Sequence, residues 1–394
     1  MAKGKPLNYT MTIKKLLAFT AVLTLISISI ISVDGISQTT TEIQTDNTLT
    51  THIDTVIHTA VSEFFNVKSR MGMSMALYYK GQAHFYNYGS KEKEKLEVPT
   101  RNTIYEIGSI TKTFGGVLLA QAVLEKKVKL DDDIRMYLEK KYPNLEYNGS
   151  FIKLYQLLNH SSGLPYDFIE RNNNEKINTE SEIYELAEVE NKYSPEQLLK
   201  DLRTVRLDTV PGIRLSYSNV AAQLLSIILE KIYQLPYPTL ISKYITGKLR
   251  LHNTGFEVPS ANNNNVATGY NLNGIKMPHI KNGAAGGLFS TAEDLLVYGK
   301  FHLNEDDPVV KLTHEPTWGQ IQYYAMGLNW QMQQKENNYR RIWQSGSTGG
   351  HTSLLSVYPE LNIVFVFLTN EQDENSEGAL SKVEENILKK LQGK

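Results

Sequence analysis

The sequence contains no cysteine among its 394 residues. This absence excludes disulfide bonds, a thiol nucleophile, thiolate metal sites and a lipid attached to an N-terminal cysteine. Neither sign of charge predominates, because 41 lysine and arginine residues stand against 42 aspartate and glutamate residues. A surplus of positive charge would be needed to predict binding to nucleic acid or to an anionic membrane surface. The composition therefore predicts no nucleic-acid partner.

Metal and cofactor motifs are also lacking. The histidines, which include His160, His252, His279, His314 and His351, show neither an H-E-x-x-H motif nor a paired ligand spacing. No glycine-rich phosphate-binding loop is present. We therefore predict neither a metal site nor a cofactor.

A long apolar run near the N-terminus is typical of an export signal. The run 16-LLAFTAVLTLISISIISV-33 follows two lysines and precedes a polar segment. Gly35 and Ser37 are small residues at the positions that a signal peptidase prefers, so we expect cleavage before Gln38. The alternative is an uncleaved membrane anchor, because the run is about as long as a bilayer requires. In either case we expect an exported protein, periplasmic or extracellular.

Apolar periodicity predicts the fold class. Helical spacing of apolar residues predicts one helix over residues 52–65 and a closing helix that includes 380–391. Two pairs of apolar runs, 73–79 with 82–89 and 353–359 with 363–370, predict β-hairpins. We therefore predict an α+β fold, in which both chain ends form one antiparallel sheet covered by helices and a mainly helical subdomain is inserted between them.

These patterns divide the chain into three parts. We expect a signal peptide or anchor over residues 1–37, a polar tether over 38–50 and a catalytic domain over 51–394. Within that domain, the sheet subdomain is expected at about 51–108 and 301–394, and the helical subdomain at about 109–300.

The segment 105-YEIGSITKTFGG-116 holds a serine and a lysine at spacing i, i+3. Ser109 and Lys112 would share one face of a helix, which suits a nucleophile and its base. Alone, this short pattern favours a helix N-cap followed by a solvated lysine. Two later segments strengthen the first interpretation: 211-PGIRLSYSN-219 and 343-WQSGSTGGHTS-353.

In this order, the three segments resemble those of the serine β-lactamase-like superfamily, in the branch that holds class C β-lactamases, D-Ala-D-Ala carboxypeptidases and related esterases. The resemblance covers roughly residues 52 to 392, with supporting matches at 152–165, 247–256, 284–295 and 325–330. It implies a β-lactamase/transpeptidase-like fold and a serine hydrolase that forms an acyl-enzyme. The expected substrate is a peptide, lactam or ester of a small or peptidoglycan-type molecule. An esterase of this fold and a non-hydrolytic, penicillin-recognising binding or sensor protein are the alternatives.

The resemblance also implies roles for individual residues. Ser109 would be the acylated nucleophile, and Lys112, desolvated, would accept its proton as a neutral amine. Tyr217 would relay protons to the leaving group, and either Lys112 or Tyr217 could be the formal base. Asn219 would orient Lys112 and the substrate amide. The backbone N–H groups of Ser109 and Ser347 would form the oxyanion hole.

The third segment departs from the family pattern. Where lysine or histidine usually stands, this chain has Gln344, followed by Ser345 and Gly346. A cation there would pair with a substrate carboxylate, whereas a neutral amide offers only hydrogen bonds. The departure weakens the prediction of lactam or D-Ala-D-Ala substrates and leaves the acylation residues unaffected. The oligomeric state is left open.

Overall fold

The computed structural model describes residues 43–139, 141–169 and 179–393. The α-helices there are α1 His52–Phe65, α2 Thr111–Leu124, α3 Leu154–Leu158, α4 Glu180–Asn191, α5 Pro195–Asp201, α6 Asn219–Tyr233, α7 Tyr237–Ile241, α8 Gly247–Leu249, α9 Gly283–Gly286, α10 Ala292–Leu303, α11 Pro308–Thr313 and α12 Ser376–Leu391. The strands are β1 Gly72–Tyr79, β2 Gln82–Gly89, β3 Tyr105–Glu106, β4 Glu146–Tyr147, β5 Ser150–Phe151, β6 Tyr270–Asn271, β7 Phe289–Ser290, β8 Trp318–Gln320, β9 Tyr324–Met326, β10 Gln331–Gln334, β11 Arg340–Ser347, β12 Thr352–Tyr358, β13 Ile363–Thr369 and β14 Glu371–Gln372.

An eight-stranded sheet joins the two ends of the chain. Its strand order is β2-β1-β13-β12-β11-β10-β9-β8, and each neighbouring pair is antiparallel. The predicted helix at 52–65, both hairpins and the closing helix are confirmed. The first hairpin turns at Lys80 and Gly81, with φ of 51° and 80°. Positive φ at both turn residues matches the right-handed twist of the flanking strands.

Helices cover both faces of the sheet, as predicted. Along β13, alternate residues contribute to opposite cores: Phe365 and Phe367 lie in the cluster with α1 and α12, whereas Val364 and Val366 lie in the cluster with α2 and α10. Since successive side chains of a strand point to opposite faces, a strand covered on both sides must be apolar throughout. This explains the uninterrupted run 363-IVFVFL-368.

The inserted part of the chain is mainly helical and packs around α2. This helix is buried along most of its length and contacts α6, α9 and α11. Helix α10 begins at Ala292 but packs on β1, β12 and β13. The predicted division at residue 300 therefore cuts through a helix that belongs to the sheet.

The N-terminal predictions fall largely outside the described residues. Residues 1–42, with the predicted signal peptide or anchor and the first part of the tether, are among those not described. The remaining part of the predicted tether is bonded to β2: the Asp46 carboxylate accepts hydrogen bonds from the backbone and side chain of Asn87, at 2.8 and 2.6 Å. Within the three described ranges, no helix is both long and apolar enough to cross a bilayer.

Candidate active site

A tight turn presents Ser109 at the start of the buried helix α2. Strand β3 ends at Glu106, Gly108 has φ of 49°, and a 3-10 turn over Gly108–Ile110 leads into α2. A Cβ atom on Gly108 would lie 2.6 Å from the backbone nitrogen of Ser347, so a side chain would separate two segments that must touch. Glycine also adopts this left-handed conformation without strain. The prediction that a helix starts near Ser109 is confirmed.

The side chains of Lys112 and Tyr217 both reach the hydroxyl oxygen of Ser109, as predicted for neighbouring site residues. Nζ of Lys112 lies 2.9 Å from Oγ of Ser109, and the hydroxyl of Tyr217 donates a hydrogen bond to the same Oγ at 2.5 Å. Nζ also lies over the ring of Tyr217, 4.8 Å from its centroid. Ser109 and Tyr217 are 108 positions apart in sequence, so folding brings the first and second motifs together.

The lysine is removed from solvent. Lys112 is 1% exposed, and Nζ also donates a hydrogen bond to the backbone carbonyl of Ala285. Burial lowers the pKa of Lys112 from 10.5 to about 7, and the charge of Asp167 opposes this shift. Desolvation disfavours the charged ammonium, so a large share of the amine is neutral near pH 7.

The tyrosine is held in its protonated form. Burial of the hydroxyl raises the pKa of Tyr217 above its usual value of 10, although the hydrogen bond to Ser109 acts in the opposite direction. The ring of His160 packs on the Tyr217 ring with centroids 4.2 Å apart. The backbone carbonyl of His160 accepts from Ser216 N at 2.6 Å, so His160 holds the turn that carries Tyr217. Burial and the charge of Lys112 lower the pKa of His160 to about 3, and its ring is therefore neutral.

The segment 343–353 lies against the turn that carries Ser109, and main-chain atoms make the contact. A Cβ atom on Gly346 would lie 2.1 Å from the Ile107 carbonyl and 2.8 Å from the Ser109 backbone nitrogen. The hydroxyl of Ser353 donates to the same Ile107 carbonyl at 2.8 Å and joins β12 to this turn. The end of β11 therefore runs beside Ser109, as an oxyanion hole built from the N–H groups of Ser109 and Ser347 requires.

Asn219 is placed differently from the expected contact with Lys112. In the described part of the chain, its side-chain amide donates to the Asp167 carboxylate at 3.4 Å, and its backbone N–H donates to the Tyr166 carbonyl at 2.8 Å. The described bonds of Lys112 go to Ser109 and Ala285 instead. Asp167 acts on Lys112 through its charge, so Asn219 is linked to the lysine through Asp167.

Ser109 opens into a cleft of about 520 Å³. The described residues that line it are Ser109, Tyr166, Tyr217, Gln331, Trp343, Gln344, Ser345, Ser347, Glu377, Gly378 and Ser381. None of these is lysine or arginine. We call Ser109, Lys112 and Tyr217 the acylation side of the site, and Gln344, Ser345 and Glu377 its recognition side.

Hydrogen bonds within the protein hold the recognition side. Gln331 Nε2 donates to Gln344 Oε1 at 2.8 Å, and Gln331 in turn accepts from the Tyr324 hydroxyl at 3.0 Å. The Ser345 hydroxyl donates to Glu377 Oε2 at 2.7 Å. Arg341, on the same strand, binds Glu384, and it is not among the described residues that line the cleft. The cleft therefore presents one carboxylate without a matching cation on its described walls.

Sequence reasoning missed several residues of this site. It did not identify Tyr166, Asp167 or Glu377, and it assigned His160 no role in the site. His160, Tyr166 and Asp167 follow or lie in the 152–165 segment, whose resemblance to the family could have directed attention to them. Glu377 lies in no motif, and only the packing of α12 beside β11 reveals it.

The histidines away from the cleft form contacts with carboxylates. His279 Nδ1 lies 2.7 Å from Glu106 Oε1, and His314 Nδ1 lies 2.9 Å from Glu305 Oε1. Across residues 43–139, 141–169 and 179–393, no set of three or more such side chains is arranged to hold a metal ion.

Comparisons with known proteins identify the family and the fold. Residues 57–386 match the Beta-lactamase family. A beta-lactamase of Escherichia coli strain K12 is 24% identical over 368 residues, which cover 82% of this chain and 90% of the relative. Among solved structures, a beta-lactamase/D-alanine carboxypeptidase from Pseudomonas syringae superposes with a TM-score of 0.73 at 20% identity, covering 86% of this chain and 99% of the other. A class C beta lactamase from Rhodobacter sphaeroides gives a TM-score of 0.71 at 21% identity, covering 85% and 99%.

The fold is therefore that of the β-lactamase/transpeptidase class, as the sequence predicted. The family match extends over most of the chain, and the protein belongs to the Beta-lactamase family. Family and fold together support a serine hydrolase of the beta-lactamase or carboxypeptidase kind.

Proposed function

We propose that the protein is a serine acyl hydrolase that works through an acyl-enzyme on Ser109. One observation carries the proposal: Oγ of Ser109 lies within hydrogen-bond distance of both Lys112 Nζ, at 2.9 Å, and the Tyr217 hydroxyl, at 2.5 Å. A nucleophile, a base and a proton relay at one oxygen are what acyl transfer requires.

In the proposed reaction, Ser109 Oγ forms a bond to the substrate carbonyl carbon while its proton passes to Lys112. The bond from that carbon to the leaving group then breaks, and the proton reaches the leaving group through Tyr217. Water next attacks the ester, releases the acid and restores the proton of Ser109. In both tetrahedral intermediates, the N–H groups of Ser109 and Ser347 would stabilise the negative oxygen. In a preorganised site, one such hydrogen-bond donor lowers the activation free energy by about 3 to 4 kcal/mol.

We assign the role of formal base to Lys112. With a pKa of about 7, about half of its amine is neutral at pH 7, whereas an ordinary lysine with a pKa of 10.5 is almost entirely protonated there. Tyr217 has a raised pKa, so at neutral pH its hydroxyl can donate but is not available as an anionic base. General bases work best with a pKa near the working pH.

The recognition side favours an esterase over a lactamase or D-Ala-D-Ala carboxypeptidase. Carboxylate substrates need a compensating charge, and Gln344 supplies only a neutral amide. The nearby Glu377 would repel a substrate carboxylate. Short-chain esters without a carboxylate avoid both costs, so we propose that they are the preferred substrates.

Acylation can be tested by intact-mass measurement. The protein is mixed with an activated acetate ester, the reaction is quenched rapidly in acid, and the intact mass of the protein is measured. A second reaction uses a penicillin in place of the ester. We expect an acetyl adduct on the wild type and none on Ser109→Ala. The matched control is Ser226→Ala, because Ser226 lies on α6 outside the cleft. Ester hydrolysis that is equally fast in Ser109→Ala would overturn the proposal.

We also propose export, on the basis of the run at 16–33. The mature protein should begin near Gln38, and N-terminal sequencing of protein from its native host tests this. Recovery of residues 16–33 intact in a membrane fraction would indicate an anchor instead.

A further inference from the structure

The carboxylate of Glu377 lies in the candidate active-site cleft. Glu377 is exposed, in the first turn of α12, and it accepts the hydroxyl of Ser345 at 2.7 Å. Ser345 follows Gln344 on β11, the strand whose last residue, Ser347, runs beside Ser109. The acid therefore belongs to the same cavity as the reacting serine.

The charge of Glu377 reaches the acylation side. The pKa of Tyr217 is raised first by burial and then by the charges of Tyr166 and Glu377. Tyr217 is the residue through which the leaving group would receive its proton. Glu377 lines the same cleft as Tyr217, so the leaving group would be released into the cavity that holds this carboxylate.

The cations near this carboxylate are engaged with other groups. Arg341, on β11, is bonded to Glu384 through both Nε and Nη2, and its guanidinium lies over the Trp343 ring. Lys335 and Lys382 line an adjacent cavity that Arg341 and Glu384 also line. None of the described residues of the cleft wall is lysine or arginine.

Aromatic rings share the cleft with the carboxylate. Tyr166, Tyr217 and Trp343 line it. Protein groups already lie over Trp343 and Tyr217, whereas Tyr166 is 62% exposed and is the open ring. Aromatic faces attract ammonium groups, and quaternary ammonium ions are commonly recognised in this way. A carboxylate combined with aromatic walls therefore suits a cation better than a neutral or anionic group.

We propose that Glu377, with the exposed aromatic ring of Tyr166, forms a subsite for a positively charged leaving group, such as an amino-alcohol or quaternary ammonium alcohol. The proposal rests on the acyl-hydrolase function given above. It adds the substrate class: esters whose alcohol part carries an ammonium group. Glu377 is then a specificity-determining residue, and the chemistry remains with Ser109, Lys112 and Tyr217.

A matched pair of thioesters isolates the charge. Acetylthiocholine and its neutral carbon isostere, S-(3,3-dimethylbutyl) thioacetate, have the same shape and release a thiol measured by one reagent. The quantity of interest is the ratio of kcat/KM for the cationic thioester to that for the neutral one. Any effect of Glu377 on Tyr217 itself acts on both substrates and cancels in this ratio.

We expect the wild type to prefer the cationic thioester, and Glu377→Gln to lower the ratio about three- to tenfold, in line with a partly solvated charge pair. Raising the salt concentration to about 0.5 M should also reduce the wild-type ratio. The control is Glu374→Gln, which removes the same charge three positions earlier in the chain, from a residue that does not line the cleft. It should leave the ratio unchanged.

Binding to the inactive protein separates the two proposals. In a Ser109→Ala background, calorimetry should show tighter binding of acetylthiocholine than of the isostere, and adding Glu377→Gln should abolish that difference. Equal affinities there, or a turnover ratio unchanged by Glu377→Gln, would overturn the cation subsite. Ser109-dependent hydrolysis of the neutral thioester would still support the acyl-hydrolase function. If the inactive variant binds the cationic thioester more tightly but the wild type hydrolyses neither thioester, the subsite is supported and the acyl-hydrolase function is contradicted.

Discussion

The acylation side and the recognition side meet in one cleft but are held by different forces. Lys112 is almost fully buried, and short hydrogen bonds from Lys112 and Tyr217 converge on Ser109. Glu377 on the recognition side is exposed, and its described hydrogen bond comes from a single serine hydroxyl.

The two sides also differ in how tightly their groups depend on one another. On the acylation side, each group alters the pKa or position of another, so replacing one disturbs the others. On the recognition side, solvent screens the charge of Glu377, whereas Gln344 is 2% exposed and is held by the hydrogen bond from Gln331. The chain keeps the serine, lysine and tyrosine that the family resemblance implies, and it departs at Gln344, where substrate would be recognised.

The largest effect is expected at the nucleophile. Ser109→Ala should lower kcat by at least about 10⁴-fold on every substrate found, because the other groups act only through its hydroxyl. Rate and melting temperature are measured together, with Ser226→Ala as the control. Retained activity in a folded Ser109→Ala protein would show that Ser109 is not the nucleophile and that the acylation side of the cleft is wrongly assigned.

Lys112 and Tyr217 should act as one proton-transfer unit. Lys112→Ala and Tyr217→Phe should each lower kcat/KM by at least about 10²-fold, and the double variant should lose far less than the product of the two. The measurement is a double-mutant cycle on one ester. Losses that multiply fully would show that the two residues serve separate steps.

A smaller effect is expected on the recognition side. Gln344→Lys should shift the ratio of kcat/KM for a cephalosporin over that for a neutral ester by roughly ten- to a hundredfold, because a charge-assisted bond contributes about 1.5 to 3 kcal/mol. Combining it with Glu377→Gln should increase the shift, since the competing carboxylate is removed. An unchanged ratio in both variants would show that Gln344 does not determine specificity. Efficient cephalosporin turnover by the wild type would contradict the ester preference.

The most gradual effect is the pH dependence of the acylation side. Lys112 must be neutral to act as the base, so kcat/KM should fall about tenfold per pH unit below its pKa of about 7 and level off above it. Tyr217→Phe, measured at its lower rate, should keep the same inflection. An inflection well above pH 7 that is lost in Tyr217→Phe would identify Tyr217 as the base instead. A stable neutral ester is the appropriate substrate, because its own protonation does not change.

Much of the fold could be predicted because its elements carry local signals. Lys80-Gly81 determines the first hairpin, and the apolar spacing of 52–65 and 380–391 determines two helices. The boundary at residue 300 could not be predicted, because helix α10 has the same local pattern whether it packs on a sheet or on other helices. Similarly, the side-chain partner of Asn219 could not be predicted, because that partner is Asp167, which lies 52 positions earlier in the chain.

The sequence by itself determined the fold class, and it predicted the three residues proposed for acylation: Ser109 and Lys112 share a helical turn, and the resemblance to the family implies Tyr217. Only the tertiary structure decided the state of these groups and the character of the cleft. The pKa of Lys112 depends on burial by segments distant in sequence, and Glu377 enters the site because α12 packs beside β11. Desolvation and charge proximity are properties of three-dimensional arrangement, so no local pattern in the chain encodes them.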